Sequence, residues 1–204
     1  MSIVLYWHPM SSASPIASAL AELEVAHERV LIDLKAGEQR RPEFLALNPN
    51  GAVPTLTVDG APMFEALAIH LWLGERYGVE RGLWPAADTP ERLQAMSWCA
   101  WSYVTYGAAV WSLSTALHPR DGEQRDEQQA KRALAQLDRL LAVLDGHLAK
   151  QAWIVGASYS LADLVVGSVL GYTAFLGAPI ASHRHVQAWL DKVQARPAMR
   201  LDQG

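Results

Sequence analysis

The sequence is poor in the residue types that mark secretion, nucleic-acid binding or membrane insertion. A single cysteine, Cys99, stands in 204 residues, so an internal disulfide is excluded and a reducing compartment is indicated. Basic residues are outnumbered, 17 Lys and Arg against 21 Asp and Glu, which leaves no electrostatic footprint for nucleic acid. The first residues lack the charged start and apolar run of a signal peptide. We therefore expect a cytoplasmic protein.

Charge is missing altogether from two long stretches. Residues 93–119 and 164–183 contain no Asp, Glu, Lys or Arg, and either stretch is long enough to span a bilayer. The first, however, carries frequent Ser, Thr and Tyr, and the second is broken by Gly177-Ala178-Pro179. Polar groups at this frequency favour helices buried in a bundle or a subunit interface over membrane spans.

The first 77 residues alternate between strand and helix patterns. Short apolar runs rich in β-branched residues predict strands, and Pro and Ser before apolar stripes predict helix starts, with a serine as the cap of the first helix. The predicted order is β-α-β-α-β-β-α, with the first two strands parallel. The predicted elements are strands at 2–7, 28–33, 55–58 and 63–64, and helices from about 14 to 25, at 42–45 and at 65–77.

After residue 77 only helical patterns follow. Residues 78–89 have the Gly and Pro content of a linker, and 90–204 form the second predicted domain. We predict helices at 90–117 and 123–149, a third opening at Ser160, and a last one at 185–196. Ser160 and Asp163 have the spacing of a capping box, in which each side chain bonds the other residue's backbone N–H.

A stretch between these patterns, Asn48-Pro49-Asn50-Gly51-Ala52-Val53-Pro54-Thr55-Leu56, combines turn formers with a strand led by proline. Asn and Gly tolerate positive φ, and X-Pro is the bond at which a cis peptide is inexpensive. Since proline donates no ladder hydrogen bond, it belongs at the first residue of a strand or at an edge. The stretch predicts a tight turn, a possible cis proline at Pro54, and a strand edge on which a peptide could dock.

Four motifs in this order resemble the cytosolic glutathione transferase family over essentially the whole chain. The family's NPxGxVPxL is matched by residues 48–56, and its (F/L)ESxAI by Phe64-Glu65-Ala66-Leu67-Ala68-Ile69. Residues 5–11, LYWHPMS, are similar to the first strand and serine loop of the serine-type, phi-like and theta-like classes, and residues 159–163 match the family's capping box. The resemblance implies a thioredoxin-like α/β N-terminal domain followed by an all-α helical bundle.

The resemblance also implies a catalytic hydroxyl. The thiol of glutathione is a cysteine thiol with an ordinary pKa of about 8.5, so a transferase has to favour the thiolate. A hydroxyl donor near the positive end of a helix dipole does so. Ser11 fits best, two residues after Pro9, and Ser12 and Tyr6 are the alternatives. Any serine of this loop could instead only cap the helix.

The tripeptide site that the family motif implies comprises Gln39, Arg40, Val53, Pro54, Glu65 and Ala66. The backbone of Val53 would pair with the cysteinyl part as an added strand, and Glu65 would meet the γ-glutamyl ammonium. Gln39 and Arg40 would reach the glycyl carboxylate. Ala66 replaces the family's Ser or Thr, and Ala52 replaces its Gln or Lys. Because each lost hydrogen bond to a charged group costs about 1.5–3 kcal/mol, we expect weakened glutathione binding, or a different thiol or acid as the ligand.

The charge-free helix at 90–117 has two stripes at helical spacing. Trp101, Val104, Ala108 and Trp111 are predicted to lie in the core. Tyr103, Tyr106 and Val110 form the second stripe, which by resemblance faces a hydrophobic-substrate pocket or a partner subunit. Family members are usually homodimers, so we expect a homodimer.

Other thiol and metal chemistry is not indicated. Cys99 is far in sequence from residues 9–12, where thiol-dependent relatives need a cysteine. His183 and His185 have no Cys or acidic neighbour in sequence that would suggest a metal site.

These observations predict a glutathione S-transferase that attacks an electrophilic apolar substrate and serves detoxification. Glutathione is its cosubstrate, and no bound cofactor or metal is expected. The alternative is a non-catalytic assembly module of the same fold that carries an apolar ligand, which Ala52 and Ala66 favour.

Overall fold

The computed structural model describes residues 1–119 and 124–200. The chain divides into two compact units, residues 1–87 with residues 196–200, and residues 88–195. The domain limits given in the sequence analysis, residues 1–77 and 90–204 with a linker at 78–89, remain a prediction. Within the described residues no helix combines the length and the apolar character that crossing a bilayer requires.

The first unit is built on one mixed four-stranded sheet with three α-helices. The elements are β1 Ile3–Trp7, α1 Ser14–Glu22, β2 Glu28–Leu31, α2 Pro42–Leu45, β3 Thr55–Val58, β4 Ala61–Phe64 and α3 Ala66–Leu73. The strand order in the sheet is β2-β1-β3-β4. As predicted, β1 runs parallel to β2, and it pairs antiparallel with β3, where Tyr6 lies opposite Thr55. The helices α1 and α3 pack against each other.

Three elements of the first unit end earlier than predicted, and each end has a local cause. The helix α3 stops at Leu73 rather than residue 77, because the chain continues from Gly74 to Gly78 as a π-helical segment. The helix α1 stops at Glu22 rather than near residue 25, because Glu24 adopts a positive φ of 49°, which an α-helix cannot continue. The strand β2 stops at Leu31 rather than residue 33. There the carboxylate of Asp33 accepts the N–H groups of Lys35 and Ala36, both at 2.9 Å, and turns the chain.

The second unit is all helical, as predicted. Its α-helices are α4 Pro90–Ala100, α5 Gly107–Leu117, α6 Glu127–Leu148, α7 Leu161–Phe175 and α8 Arg184–Gln194. Asp126 caps α6, and its side chain accepts from the N–H of Gln129 at 2.8 Å, so that helix begins at Glu127. The predicted start at residue 123 lies outside the described residues.

The predicted helix at 90–117 is interrupted by a π-helical segment, Trp101–Tyr106. A π-turn closes i to i+5 and adds one residue, so every later position is rotated by about 100° from an ideal helix. The predicted core stripe is therefore wrong. Val104 and Trp111 are 66% and 68% exposed. The residues of this region that are buried are Ser102, Tyr106, Ala109, Val110, Leu113 and Ala116.

The predicted capping box opens α7. Both side-chain-to-backbone contacts of the box are present between Ser160 and Asp163. The buried carboxylate of Asp163 also accepts the Ile154 N–H at 2.7 Å and the Trp189 indole N–H at 2.8 Å. Burial raises the pKa of Asp163, although its hydrogen bonds act in the opposite direction. This carboxylate ties the preceding loop, α7 and α8 together.

Candidate functional site

The serine loop connects β1 to α1, and Ser11 holds it together from within. The Ser11 hydroxyl donates to the carbonyl oxygen of His8 at 2.6 Å and accepts the backbone N–H of Ala13 at 3.1 Å. The predicted serine cap is wrong, because Ala13 is the N-cap and no side chain caps α1. Pro15 does lie in the first turn, as predicted. Ser11 is half-buried and stands next to the N-terminal end of the helix.

Ser12 points away from its own loop. Its hydroxyl donates to the carbonyl oxygen of Val53 at 3.0 Å, across 41 positions of sequence. This hydrogen bond joins the serine loop to the stretch before β3. Both motifs lie in one predicted domain, but no local pattern indicates that they touch.

The turn before β3 is held by one buried side chain. Asn48 is 2% exposed. Its amide nitrogen donates to the Ala52 carbonyl at 2.7 Å and to the Thr55 hydroxyl at 3.1 Å, and its amide oxygen accepts the Asn50 N–H at 3.0 Å. From the sequence, Asn48 is predicted only as a turn former. The signal missed there is that a buried asparagine has to satisfy its own donors and acceptor.

Gly51 brings the segment of Gln39 against this turn. Gly51 has a φ of 59°, and a Cβ at this position would lie 3.1 Å from the carbonyl oxygen of Gln39. Glycine is thus required both for the conformation and for the close approach. The Gln39 side-chain amide donates to the Leu34 carbonyl at 3.3 Å. Arg40 is exposed, and the neighbouring Arg41 pairs with Glu38 at 3.1 Å.

Val53 has its side chain in the core, and its backbone lies outside the β3 ladder, which begins at Thr55. The side chain belongs to a buried cluster with Ala13, Ile32 and Phe44, and the Val53-Pro54 peptide bond is cis. The Val53 carbonyl accepts from Ser12. The Val53 N–H donates to no other group within residues 1–119 and 124–200. An unpaired backbone donor is one of the groups that an added strand needs.

Glu65 lies at the junction of β4 and α3 in a strained conformation. It is the N-cap of α3, with a φ of 70° and no capping hydrogen bond from its side chain. A non-glycine residue at positive φ costs of the order of 1–3 kcal/mol and is common at ligand sites. The carboxylate is exposed, whereas Ala66 is buried, 6% exposed.

The ring of Tyr6 packs against the buried cluster. Its ring packs edge-on against Phe44 with ring centroids 6.0 Å apart, on the side of the buried cluster that contains Val53. Of the three candidate hydroxyls, those of Ser11 and Ser12 belong to the serine loop, whereas that of Tyr6 belongs to β1.

The side chains predicted to line a substrate pocket have different environments. Tyr106 is fully buried and shares a hydrogen bond of 2.9 Å with the Thr173 hydroxyl. Burial raises its pKa to about 12, partly offset by that hydrogen bond. Val110 is 8% exposed. Both lie in the core of the helical unit because the π-helical segment turns them inward. Tyr103 is half-buried, and burial raises the pKa of its phenol.

The thiol of Cys99 and the imidazoles of His183 and His185 serve the structure of the second unit. Cys99 is fully buried, and burial raises the pKa of its thiol, with a further contribution from Asp163. A thiol in that state is a poor nucleophile. His183 contacts Asp138, and His185 contacts Asp145, each at 2.9 Å. Within the described ranges no group of three or more His, Cys, Asp or Glu residues could hold a metal ion.

Both halves of the chain match models of known protein domains. The family model of the glutathione S-transferase N-terminal domain matches residues 1–75, and that of the C-terminal domain matches residues 99–197. Glutathione S-transferase F10 of Arabidopsis thaliana is 30% identical over 98% of this chain and 95% of its own length. Glutathione S-transferase GstB of Escherichia coli K12 is also 30% identical, over 93% of this chain and 91% of its own length.

The fold agrees with a solved structure. Glutathione transferase URE2P8 from Phanerochaete chrysosporium, crystallised with oxidized glutathione, superposes with a TM-score of 0.89 at 24% identity, covering 99% of this chain and 93% of the other. The predicted thioredoxin-like domain and helical bundle are thereby confirmed. With both family domains in order and relatives matched over nearly their full length, the chain belongs to the glutathione S-transferase family.

Proposed function

We propose that this protein conjugates glutathione to electrophilic apolar substrates, with Ser11 stabilising the thiolate. The observation that carries the proposal is the hydrogen bond from Ser12 to the Val53 carbonyl. It brings the loop of the catalytic hydroxyl into contact with the strand edge on which the cysteinyl residue would dock. Both features lie in the first unit together with Glu65.

Each part of glutathione has a candidate partner. The cysteinyl backbone would pair with the N–H and C=O of Val53, beside Pro54. The γ-glutamyl ammonium would meet the exposed carboxylate of Glu65, and its carboxylate would meet the backbone N–H groups at the start of α3, including that of Ala66. Gln39 and Arg40 would hold the glycyl carboxylate at the other end, since the Gln39 backbone already abuts the Gly51 turn.

The chemistry assigned to Ser11 needs one rotation. Its hydroxyl donates to the His8 carbonyl, and turning the O–H about the Cβ–Oγ bond would redirect the same proton to sulfur while the oxygen stays in place. The Ala13 N–H, which donates to the Ser11 oxygen, makes the hydroxyl a stronger donor through cooperativity. The thiol loses its proton to solvent, the sulfur forms a bond to the electrophilic carbon, and the leaving group departs with the electron pair of its own bond.

A Ser11→Ala variant tests this assignment. A hydrogen bond to a charged group is worth about 1.5–3 kcal/mol, so kcat should fall about 10- to 100-fold, measured with an activated aryl chloride. Glutathione binding by calorimetry should change little, and Ser11→Thr, which keeps a hydroxyl, is the matched control. An unchanged kcat in Ser11→Ala would remove Ser11 from the mechanism.

The rival function is a non-catalytic module that carries an apolar ligand, which the missing hydroxyl at Ala66 favours. The wild-type protein separates the two. If it neither conjugates glutathione to a panel of electrophiles nor binds it in calorimetry, the transferase proposal fails. Tyr103 remains the residue of the helical unit proposed to contact the apolar substrate.

We further propose a cytoplasmic homodimer with a role in detoxification. The support for the dimer is that Leu93, Val104 and Trp111 are at least 66% exposed on a stretch without charge, and large exposed apolar patches are typical of interfaces. A Trp111→Glu variant should run as a monomer in analytical ultracentrifugation. Val143→Glu, at a 57% exposed position on the charged helix α6, should leave the wild-type mass unchanged.

A further inference from the structure

The hydroxyl groups of Ser11 and Ser12 are adjacent in sequence but have different partners. The proton of Ser11 stays within its own loop, on the His8 carbonyl at 2.6 Å. The proton of Ser12 crosses to the carbonyl of Val53 at 3.0 Å. Only the Ser11 hydroxyl can be redirected without breaking a hydrogen bond to Val53. The second hydroxyl is already bound to the group that a docking peptide would use.

The Val53 carbonyl has room for both partners. A carbonyl oxygen has two lone pairs, and Ser12 occupies one of them. The other lone pair and the N–H of Val53, which donates to no group among the described residues, form the donor and acceptor pair that an antiparallel strand meets at one residue. The Ser12 hydrogen bond restricts the rotation of the Val53-Pro54 peptide plane and so fixes the direction of the Val53 carbonyl.

From this geometry we propose that Ser12 is a positioning residue for glutathione, holding the Val53 carbonyl in the orientation that accepts the cysteinyl N–H. Ser12 thereby couples the serine loop to the docking edge and takes no part in activating sulfur. The proposal rests on the function proposed above and assigns a separate task to the second serine. It predicts an effect on the binding of the tripeptide and none on the reactivity of the bound thiol.

The location of Ser12 makes this role testable by substitution. The residue is exposed, so losing its hydroxyl leaves no buried cavity. Ser12→Ala should raise both the Kd and the KM for glutathione about 3- to 10-fold, the change expected for one neutral hydrogen bond. The kcat and its pH profile should stay within about twofold of wild type. Ser12→Thr should restore the wild-type KM.

The experiment compares wild type, Ser12→Ala, Ser12→Thr and Ser11→Ala by glutathione calorimetry and by steady-state conjugation across pH. A raised KM with constant kcat in Ser12→Ala, restored in Ser12→Thr, supports the proposal. An unchanged KM in Ser12→Ala overturns it. A reduced kcat with a shifted pH profile also overturns it, because Ser12 would then be the hydroxyl that stabilises the thiolate.

An NMR measurement without glutathione separates the test of the positioning role from the test of the transferase function. In the wild type, hydrogen bonding by Ser12 shifts the carbonyl carbon resonance of Val53 in NMR spectra. That resonance should move in Ser12→Ala and return in Ser12→Thr, whether or not glutathione binds. Failure of wild type to bind glutathione counts against the transferase. A Val53 resonance that is the same in all three proteins counts against the positioning role.

Discussion

Ala66 is the residue at which this site differs most from the motif it resembles. It is buried at the start of α3, so a serine hydroxyl there would lie beside the helix N–H groups that are proposed to bind the γ-glutamyl carboxylate. We expect Ala66→Ser to lower the Kd for glutathione about 10-fold, as one hydrogen bond to a charged group would. Calorimetric titration of wild type and variant with glutathione measures this change.

A matched control for that substitution is Ala68→Ser, which adds the same hydroxyl two residues further along α3, on another side of the helix. It should leave the Kd at the wild-type value. Equal affinities for wild type and Ala66→Ser would contradict the assignment of the start of α3 to the γ-glutamyl carboxylate.

His70 makes the stability of the first unit dependent on pH. It is buried in α3, and burial lowers its pKa from 6.5 to about 3. Between these two values the unfolded chain binds a proton that the folded chain does not, so stability is lost as the pH falls from 6.5 toward 3. The slope for this group is about 1.4 kcal/mol per pH unit.

Urea denaturation at several pH values in this window should show that slope in the wild type and a smaller one in His70→Asn. The exposed histidine at position 118, changed in the same way, controls for the loss of an imidazole. Identical slopes for wild type and His70→Asn would contradict the burial argument.

At the scale of the element, the turn before β3 depends on Asn48. Its three side-chain hydrogen bonds span residues 50–55. Asn48→Ala removes all three from a buried position, so we expect a loss of about 2–4 kcal/mol in the free energy of unfolding. Asn50→Ala is the control, because Asn50 is exposed and should change stability by less than about 0.5 kcal/mol. Equal effects of the two substitutions would refute this role of Asn48.

Elements defined by local chemistry could be predicted from sequence, and elements defined by packing could not. The strand at 55–58, the helix at 42–45 and the capping box of Ser160 and Asp163 depend on neighbours within a few residues, and the structure has all three. The π-helical segment at 101–106 inserts a residue without a turn former or proline. A helical wheel drawn from the sequence therefore assigned the wrong residues of α5 to the core.

The candidate site shows the same division. Its motifs could be located because each is contiguous, and the left-handed Gly51 follows from residue type. The hydrogen bond from Ser12 to Val53 joins residues 41 positions apart, and no local pattern encodes it. The side-chain environment of Tyr106 also depends on Thr173, on another helix.

At the scale of the whole molecule, the first unit includes a segment from the far end of the chain. Arg196 makes two hydrogen bonds to the carboxylate of Glu22 in α1, at 2.6 and 2.7 Å, and the Glu22 side chain is 8% exposed. We expect Arg196→Ala to cost about 2–4 kcal/mol of stability, because it leaves a carboxylate buried. Chemical denaturation followed by circular dichroism measures the loss.

The double variant Glu22→Gln/Arg196→Ala removes that charge as well and should recover part of the loss, giving a coupling energy by double-mutant cycle. Additive effects of the two substitutions would show that the ion pair contributes nothing to stability.

The same bidentate contact sets an order of events during synthesis. Translation proceeds at about 5–20 residues per second, and 174 residues separate Glu22 from Arg196. The ribosome therefore takes roughly 9–35 seconds at that rate to deliver the guanidinium after the glutamate has been added. Once Phe64 has been added, the nascent thioredoxin-like unit has its four strands but not this ion pair. The contact between Glu22 and Arg196 can therefore form only after α8, the last helix of the second unit, has been made.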